Sequence, residues 1–208
     1  MNIEKIKLQL TSKLPGEKAH QKMMPFNRPI SSIAKQNSTD FKESGVAVIL
    51  YKHQKNLELI LIQRSTYEGN HSGQISFPGG KKEALDRNLF ETSIRECYEE
   101  IGVQLALKHH VGKLTPVFIP VSNFHVEVHL FYMDSKPVFQ ADPHEVSEIF
   151  SVQINDLLND KFVKITDIKI SEMIILKEVP YFDLENKIIW GATAFILSEL
   201  KELLRDHL

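Results

Sequence analysis

A short acidic segment constrains the fold of this chain more than any other stretch of its sequence. Residues 79–102 begin with two glycines and end in the run Arg-Glu-Cys-Tyr-Glu-Glu at 95–100. On a helix, Glu96, Glu99 and Glu100 are related by i, i+3 and i+4, so their carboxylates share one face and repel one another. A divalent cation removes that repulsion, and carboxylate oxygens suit Mg²⁺ or Mn²⁺. The segment therefore predicts a helix that binds a metal through these glutamates.

The spacing of apolar residues predicts how this helix packs. Phe90, Ile94, Cys97 and Ile101 follow at i, i+4, i+7 and i+11 and form a stripe that we place roughly opposite the carboxylates. Cys97 is the only cysteine, which rules out an internal disulfide, and its place on the stripe indicates a packing residue rather than a nucleophile. Gly102 suits the end of the helix.

The main alternative for the acidic run is a solvated face, the commonest fate of Glu-rich helices. Solvated helices usually intersperse Lys at i+4, whereas Arg95 stands alone beside three acids here. The preceding loop adds a second signal, because Gly79 and Gly80 let the backbone adopt positive φ or approach another group closely. A strand-to-loop turn alone explains the glycines, but loop and helix together favour a metal site.

Loop and helix together resemble the signature of the Nudix hydrolases. That signature runs Gly, five residues, Glu, seven residues, Arg-Glu, an apolar residue, any residue, Glu-Glu, any residue, Gly and an apolar residue. The positions that match it are Gly80, Arg95, Glu96, Cys97, Glu99, Glu100, Gly102 and Val103. Asp86 stands where the signature has Glu, and eight residues rather than seven separate it from Arg95.

A second motif resembles that of the coenzyme A pyrophosphatase branch of this family. Residues 61–65 and 71–80 are similar to the branch pattern, which opens with Leu-Leu-Thr-any-Arg-Ser and closes with Phe-Pro-Gly-Gly. The extra residue in the helix spacing also recurs in that branch. Residues 14–23 and 189–194 extend the resemblance over nearly the whole chain.

The resemblance implies both a fold and a reaction. The fold is α+β, an α/β/α sandwich with a mixed sheet. The reaction is divalent-metal-dependent hydrolysis of the pyrophosphate bond in coenzyme A or acyl-CoA, giving 3′,5′-ADP and a 4′-phosphopantetheine product. Ile62 and Gly69 stand where the branch has Thr and Arg, so ADP-ribose or another nucleoside diphosphate derivative is the alternative substrate. A non-catalytic nucleotide-binding domain ranks lower, because such domains usually lose the glutamates of the signature.

The resemblance also implies roles for single residues. The expected metal ligands are Glu96, Glu100, Glu99 and, through its backbone, Gly80. Arg95 is expected to orient a glutamate by a charge-assisted hydrogen bond, with a surface ion pair as the alternative. Bound Mg²⁺ or Mn²⁺ would neutralise phosphate charge and activate a water molecule.

The general base and the substrate contacts fall outside the signature. Nudix enzymes often take the base from a later loop, where Glu145 and Glu148 follow a turn-like Asp-Pro-His stretch. An acidic surface turn is the alternative for each. Arg64 and Lys81 are positive residues near the signature that can compensate substrate phosphates, and His71 in the loop can also meet a phosphate.

Composition limits the partners of the chain. Its 208 residues are 42% hydrophobic and 25% charged, enough for one sizeable core, and the formal net charge is −2. No global basic field draws such a chain to nucleic acid or membrane, so the expected partner is a small nucleoside diphosphate derivative, and a homodimer stays open. The N-terminal segment has no long apolar run, which predicts neither signal peptide nor membrane span and favours the cytoplasm.

The remaining pattern predicts one Nudix domain over residues 1–208, with 1–44 forming a helix and an arm packed on it. Phe124–Met133 alternates as a half-buried strand, with His129 and Phe131 on its less apolar face. The other predicted elements are a strand hairpin at 45–52 and 57–64, strands at 103–107, 114–121, 163–170 and 173–182, and helices at 154–158 and 192–204. Two prolines in 114–121 indicate an edge strand or a bulge.

Overall fold

The chain folds into helical layers on both faces of a mixed β-sheet. The computed structural model describes residues 3–26, 28–66, 71–170, 173–205 and 207. The helices are α1 (Ile3–Ser12), α2 (Glu17–Gln21), α3 (Ser31–Gln36), α4 (Leu89–Ile101), α5 (Ile154–Leu158) and α6 (Gly191–Arg205). The strands are β1 (Lys42–His53), β2 (Asn56–Arg64), β3 (Ile75–Ser76), β4 (Gly79–Lys81), β5 (His110–Ile119), β6 (Phe124–Met133), β7 (Val146–Gln153), β8 (Val163–Lys169), β9 (Ile175–Leu184) and β10 (Lys187–Ile189). Gly69, where the branch has Arg, lies outside the described residues.

Strand β1 organises the main sheet. It pairs antiparallel with β2 and β4 and parallel with β6, which makes the sheet mixed as predicted. The order along the sheet is β3-β2-β1-β6-β5, with β7 added to β2. The predicted hairpin is confirmed, with Leu50 opposite Leu59 and His53 opposite Asn56.

The two faces of this sheet carry separate apolar cores. Helix α4 covers one face, and its stripe residues Cys97 and Ile101 are fully buried there. Helix α6 covers the other face, joined by Ile6 of α1 and by Met23 just after α2. Each fully buried large apolar side chain stabilises the fold by about 1.5–3 kcal/mol. The α/β/α sandwich is therefore confirmed, and the described N-terminal residues pack on its α6 side.

Two strand predictions need correction, and one further strand was not expected. Residues 103–107 do not form a strand: 103–106 have no regular secondary structure and lead into a 3₁₀ turn at Leu107–His109, after which β5 begins. Strand β6 is not half-buried, because both faces of the sheet are covered at His129 and Phe131. Strand β7 was not expected, since its sequence alternates poorly, and it extends the sheet beyond β2.

Other expectations are confirmed or refined. Strand β5 carries a bulge between Leu114 and Val117, as its prolines predict. Strands β8, β9 and β10 form a separate antiparallel sheet, and β10 was not predicted. Helix α6 is buried on more than one face, because α2 also packs against it and Ser198 Oγ donates to Ala19 O at 2.7 Å. Among the described residues, no helix is long and apolar enough to cross a membrane.

Candidate metal centre

Helix α4 is anchored at both ends, which fixes the positions of its carboxylates. At its start, Asn88 caps the helix by accepting a hydrogen bond from Glu91 N at 3.0 Å. At its end, Gly102 adopts the left-handed conformation and its N–H donates to Tyr98 O at 2.9 Å, as predicted. Between these caps the helix lies across β1 and β4.

Three carboxylates meet at the inner side of this helix. Oxygens of Glu96, Glu100 and Glu145 all lie within 4.8 Å of one another. Glu100 is the innermost member at 1% exposure. Its oxygens accept from the Gly79 N–H at 2.8 Å and from Arg64 Nη1 at 3.1 Å. These hydrogen bonds hold the carboxylate in place without filling all of its acceptor sites.

Backbone hydrogen bonds bring Glu145 to the helix from a distant part of the sequence. The N–H of Gln140 donates to Ile101 O at 2.9 Å, and the N–H of Asp142 donates to Glu100 O at 3.0 Å. The N–H of Ser65 then donates to the carbonyl of Glu145 at 2.9 Å. The loop before β7 is thereby tied both to the end of α4 and to the end of β2.

The glycine pair of β4 lies directly against the acidic cluster. A Cβ atom added at Gly80 would lie 2.4 Å from the carboxylate carbon of Glu96. Any side chain at this position would therefore displace that carboxylate. The predicted loop is in fact a short strand, in which Gly80 pairs with Gly45 and Gly79 with Val46.

Arg95 forms hydrogen bonds with several acidic side chains on the outer side of the cluster. It binds Asp86 through two hydrogen bonds, Nε to Oδ1 at 3.0 Å and Nη2 to Oδ2 at 2.9 Å. Its Nη1 donates to Glu96 at 2.9 Å and to Glu99 at 2.7 Å, and Nη2 also donates to Lys81 O at 3.0 Å. These hydrogen bonds from Arg95 lower the pKa of Asp86 to about 2, and Asp86 raises the pKa of Arg95. The predicted glutamate-orienting hydrogen bond is present in this geometry.

Glu99 does not join the cluster that Glu96 and Glu100 form with Glu145. At 100° per residue, Glu100 is rotated about 40° from Glu96 toward the apolar stripe, whereas Glu99 is rotated about 60° the other way. Glu99 is accordingly 53% exposed and paired with Arg95. The expectation that the stripe lies opposite all three carboxylates is therefore wrong for Glu100, which borders it.

Burial makes ionisation of the inner carboxylates unfavourable. Loss of solvent raises the pKa of Glu100 to about 8, opposed by the hydrogen bond from Gly79 and by the charge of Arg64. Loss of solvent also raises the pKa of Glu96. Burial raises the pKa of the Cys97 thiol, in keeping with a packing residue rather than a nucleophile.

Of the other predicted site residues, one contacts the cluster and two have partners elsewhere. Arg64 reaches Glu100, as described above. Glu148 is not a member of the cluster, and its carboxylate pairs with Lys187 at 2.7 Å. His71 contacts Gln74 Oε1 at 2.9 Å through Nδ1 and Ser122 Oγ at 3.1 Å through Nε2, so it braces its own loop.

The donor set fits a hard divalent cation. Three carboxylates converge, Glu96 and Glu100 are at least partly withdrawn from water, and Glu145 is exposed toward solvent. Oxygen-only donors of this kind suit Mg²⁺ or Mn²⁺ rather than the softer metals that select thiolate or imidazole. Among the described residues, this is the group of three or more acidic, His or Cys side chains close enough to share one ion.

Comparison with known proteins agrees with this geometry. Residues 42–172 match the family model described as the NUDIX domain. The chain belongs to the Nudix family. An uncharacterized Nudix hydrolase of Yersinia pestis, NudL, is 30% identical over 144 residues, which cover 69% of this chain and 71% of NudL. NudL of Yersinia pseudotuberculosis matches to the same extent.

Solved structures support the fold independently of sequence. A MutT/nudix family protein from Enterococcus faecalis superposes with a TM-score of 0.54 at 13% identity, covering 98% of this chain and 75% of that protein. A MutT protein from Methanosarcina mazei gives a TM-score of 0.51 at 17% identity, with 79% and 96% coverage. The chain is a Nudix pyrophosphohydrolase that acts on a nucleoside diphosphate derivative with a divalent metal.

Proposed function

We propose that this enzyme hydrolyses the pyrophosphate bond of coenzyme A or acyl-CoA, releasing 3′,5′-ADP and 4′-phosphopantetheine or its acyl form. The supporting observation is that residues of the branch-like motif at 61–65 and 71–80 form hydrogen bonds with the acidic cluster. Arg64 and the Gly79 N–H, both from this motif, hold the two oxygens of Glu100. The residues that resemble the coenzyme A branch therefore contact the residues that carry the chemistry.

One departure from the branch pattern bears little on the substrate. Ile62 replaces the Thr of the branch, but its side chain is fully buried in the core that also contains Cys97. A residue at this position packs under α4 and does not reach a bound molecule. The departure at position 69 is thus the remaining reason to keep ADP-ribose or another nucleoside diphosphate derivative as the alternative.

The positions of the carboxylates suggest two roles, metal binding and general base. We assign Glu96, Glu100 and Glu145 to binding Mg²⁺ or Mn²⁺, with Gly80 keeping the space that Glu96 occupies. The bound ion would neutralise the pyrophosphate charge and lower the pKa of a water nucleophile. Arg95 Nη1 donates to both Glu96 and Glu99, which keeps the exposed Glu99 carboxylate next to the cluster, so we assign Glu99 as the base.

Basic side chains complete the proposed site. Arg95, clamped by Asp86, holds Glu99 and Glu96 in fixed directions and acts as a positioning residue. Arg64 lies beside Glu100 with its side chain partly exposed, where its guanidinium can also meet a phosphate oxygen. Lys81 extends into solvent from β4 beside Gly80 and is assigned to charge compensation of the substrate.

Product identification tests the substrate directly. Purified enzyme with Mg²⁺ or Mn²⁺ is supplied with coenzyme A, acetyl-CoA, ADP-ribose and a dinucleoside polyphosphate in parallel. We expect the highest kcat/KM for coenzyme A or acetyl-CoA, with 3′,5′-ADP among the products. Faster turnover of ADP-ribose would reject the coenzyme A proposal and leave the alternative.

Two variants test whether the proposed residues catalyse at all. Glu99→Gln and Glu100→Gln should each lower kcat by orders of magnitude, because a carboxylate is lost at the base or at the metal. Glu148→Gln is the matched control, since Glu148 pairs with Lys187 outside the cluster. Equal activity of all four proteins on every substrate would refute the assignment.

A further inference from the structure

A cleft lined by several charged side chains lies on the α6 side of the main sheet, away from α4. It has a volume of about 360 Å³ and opens between the end of α2, the last turns of α6 and the sheet formed by β8–β10. Three cationic side chains line it: Lys22, Lys201 and Arg205. Two carboxylates, Asp160 and Glu202, are set among them.

Lys201 is the unusual member of this group. Its side chain is only 5% exposed, yet its ammonium Nζ has no hydrogen-bond partner. Asp160 Oδ1 lies 2.9 Å from Nζ and is its ion-pair partner. Nζ also lies 5.5 Å from the centre of the Phe182 ring. An ammonium has three donors, and the exposed carboxylate of Asp160 cannot satisfy all of them.

The carboxylates around Lys201 do not balance the cations. Asp160 is 77% exposed and is shared between Lys201 and Arg205, whose Nη2 donates to the same Oδ1 at 2.6 Å. Glu202 is likewise shared, at 3.0 Å from Lys22 and 3.4 Å from Arg205. Among the residues that the structure describes here, three cations therefore face two acids, and the carboxylate nearest Lys201 is mostly exposed to solvent.

We infer that this cleft binds a phosphate group, either inorganic phosphate or the phosphate of a phosphomonoester. A tetrahedral dianion presents several oxygens at once, which matches the three donors of Lys201 and the planar fork of Arg205. The phosphate takes the place of Asp160 at Lys201, while Lys22 closes the open side. A single carboxylate such as Asp160 satisfies only part of this donor set.

The cleft is separate from the catalytic centre. The metal-site glutamates belong to α4 on one face of the main sheet, whereas the cleft is lined by α6 on the other face. Thr193, in the first turn of α6, donates through Oγ1 to Ile75 O at 2.8 Å. Lys201 lies eight residues further along the helix, about 12 Å away. The inference does not depend on which pyrophosphate the enzyme cleaves.

Calorimetric titration of the full chain with inorganic phosphate tests the proposal. EDTA is present to weaken phosphate binding at the metal site, and a chloride titration at equal ionic strength serves as the reference. We expect saturable binding with phosphate alone, accompanied by a rise in Tm because the ligand binds the folded state. A parallel titration with glycerol phosphate distinguishes the two sources, since tighter binding assigns the site to a phosphomonoester.

Matched variants locate the binding. Lys201→Met should weaken phosphate binding by at least about tenfold. The variant should still fold, because the acid left behind, Asp160, is 77% exposed and keeps its hydrogen bond from Arg205. Lys22→Gln should weaken binding less, since Lys22 is more exposed. Lys55→Gln, in the exposed β1–β2 turn, is the control. Absence of saturation in the wild type, or unchanged affinity in Lys201→Met, would overturn the inference.

Discussion

Replacing Gly80 with Ala adds one methyl group at the most crowded point of the metal centre. The new Cβ would lie 2.4 Å from the carboxylate carbon of Glu96. Ordinary contact begins at 3.4 Å, so the carboxylate must withdraw by about 1 Å. Misplacing a catalytic group by that distance can lower the rate by about 10²-fold. The Glu96 side chain is flexible at its end, so the fold itself should lose no more than about 1 kcal/mol.

The assay combines kcat, Mn²⁺ affinity and urea unfolding. Gly80→Ala should lose activity and metal affinity while keeping its unfolding midpoint. Gly79→Ala is the contrasting variant: its Cβ would lie 2.5 Å from the Gly45 carbonyl oxygen, at a φ of 153° that disfavours side chains. Backbone cannot withdraw as a side chain does, so this variant should lose several kcal/mol of stability, on the order of 3 or more. Wild-type kcat and Mn²⁺ affinity in Gly80→Ala would refute the reasoning.

Three further predictions rest on other parts of the molecule. Glu145→Gln should lower kcat/KM by at least about 10²-fold with stability unchanged, whereas Glu148→Gln should leave both near wild type, as steady-state kinetics and thermal unfolding would show. Burial lowers the pKa of His129 to about 4 from its ordinary value of about 6.5. Between these two pH values the imidazole is neutral in the folded protein and takes up a proton when the protein unfolds. Stability should therefore fall as pH drops from about 6.5 toward 4, by up to about 3 kcal/mol from this residue, and His129→Leu should flatten that dependence in urea titrations; an unchanged slope would contradict it. Iodoacetamide should leave the native enzyme active because Cys97 is buried with a raised pKa, and rapid inactivation with Cys97 alkylation would show otherwise.

Local spacing predicted most of the arrangement of residues along α4. The positions of Glu96 and Glu100, the buried stripe and the Gly102 cap all follow from the 3.6-residue period. The same period also explains why Glu99 is not in the cluster, because Glu99 lies on the side of Glu96 that faces away from the sheet. Which side of the helix faces the sheet, however, depends on packing that spacing alone does not specify.

Contacts between distant segments could be predicted only in part. Glu145 is on a loop more than forty residues after α4, and only the backbone hydrogen bonds of 140–145 bring it to Glu100. The sequence indicated this loop through the family pattern but did not distinguish Glu145 from Glu148. The structure places the two residues differently: Glu145 lies in the acidic cluster, whereas Glu148 lies within β7 and pairs with Lys187 of β10, a strand too short to show alternation.

For the fold as well, features set by local sequence were predicted, whereas features set by packing between distant segments were not. Strand β6 was predicted with its observed bounds because it alternates over ten residues. The burial of His129 was missed because alternation does not reveal that a polar residue faces a helix. Here α4 places Phe90 against the imidazole, with ring centres 5.5 Å apart.

The most direct test of the metal centre is a crystal structure of the enzyme with Mn²⁺, using the anomalous signal of the metal. The account predicts a peak about 2 Å from oxygens of Glu96, Glu100 and Glu145, next to Gly80. A peak bound elsewhere on the protein, with these three carboxylates uncoordinated in crystals of active enzyme, would contradict it.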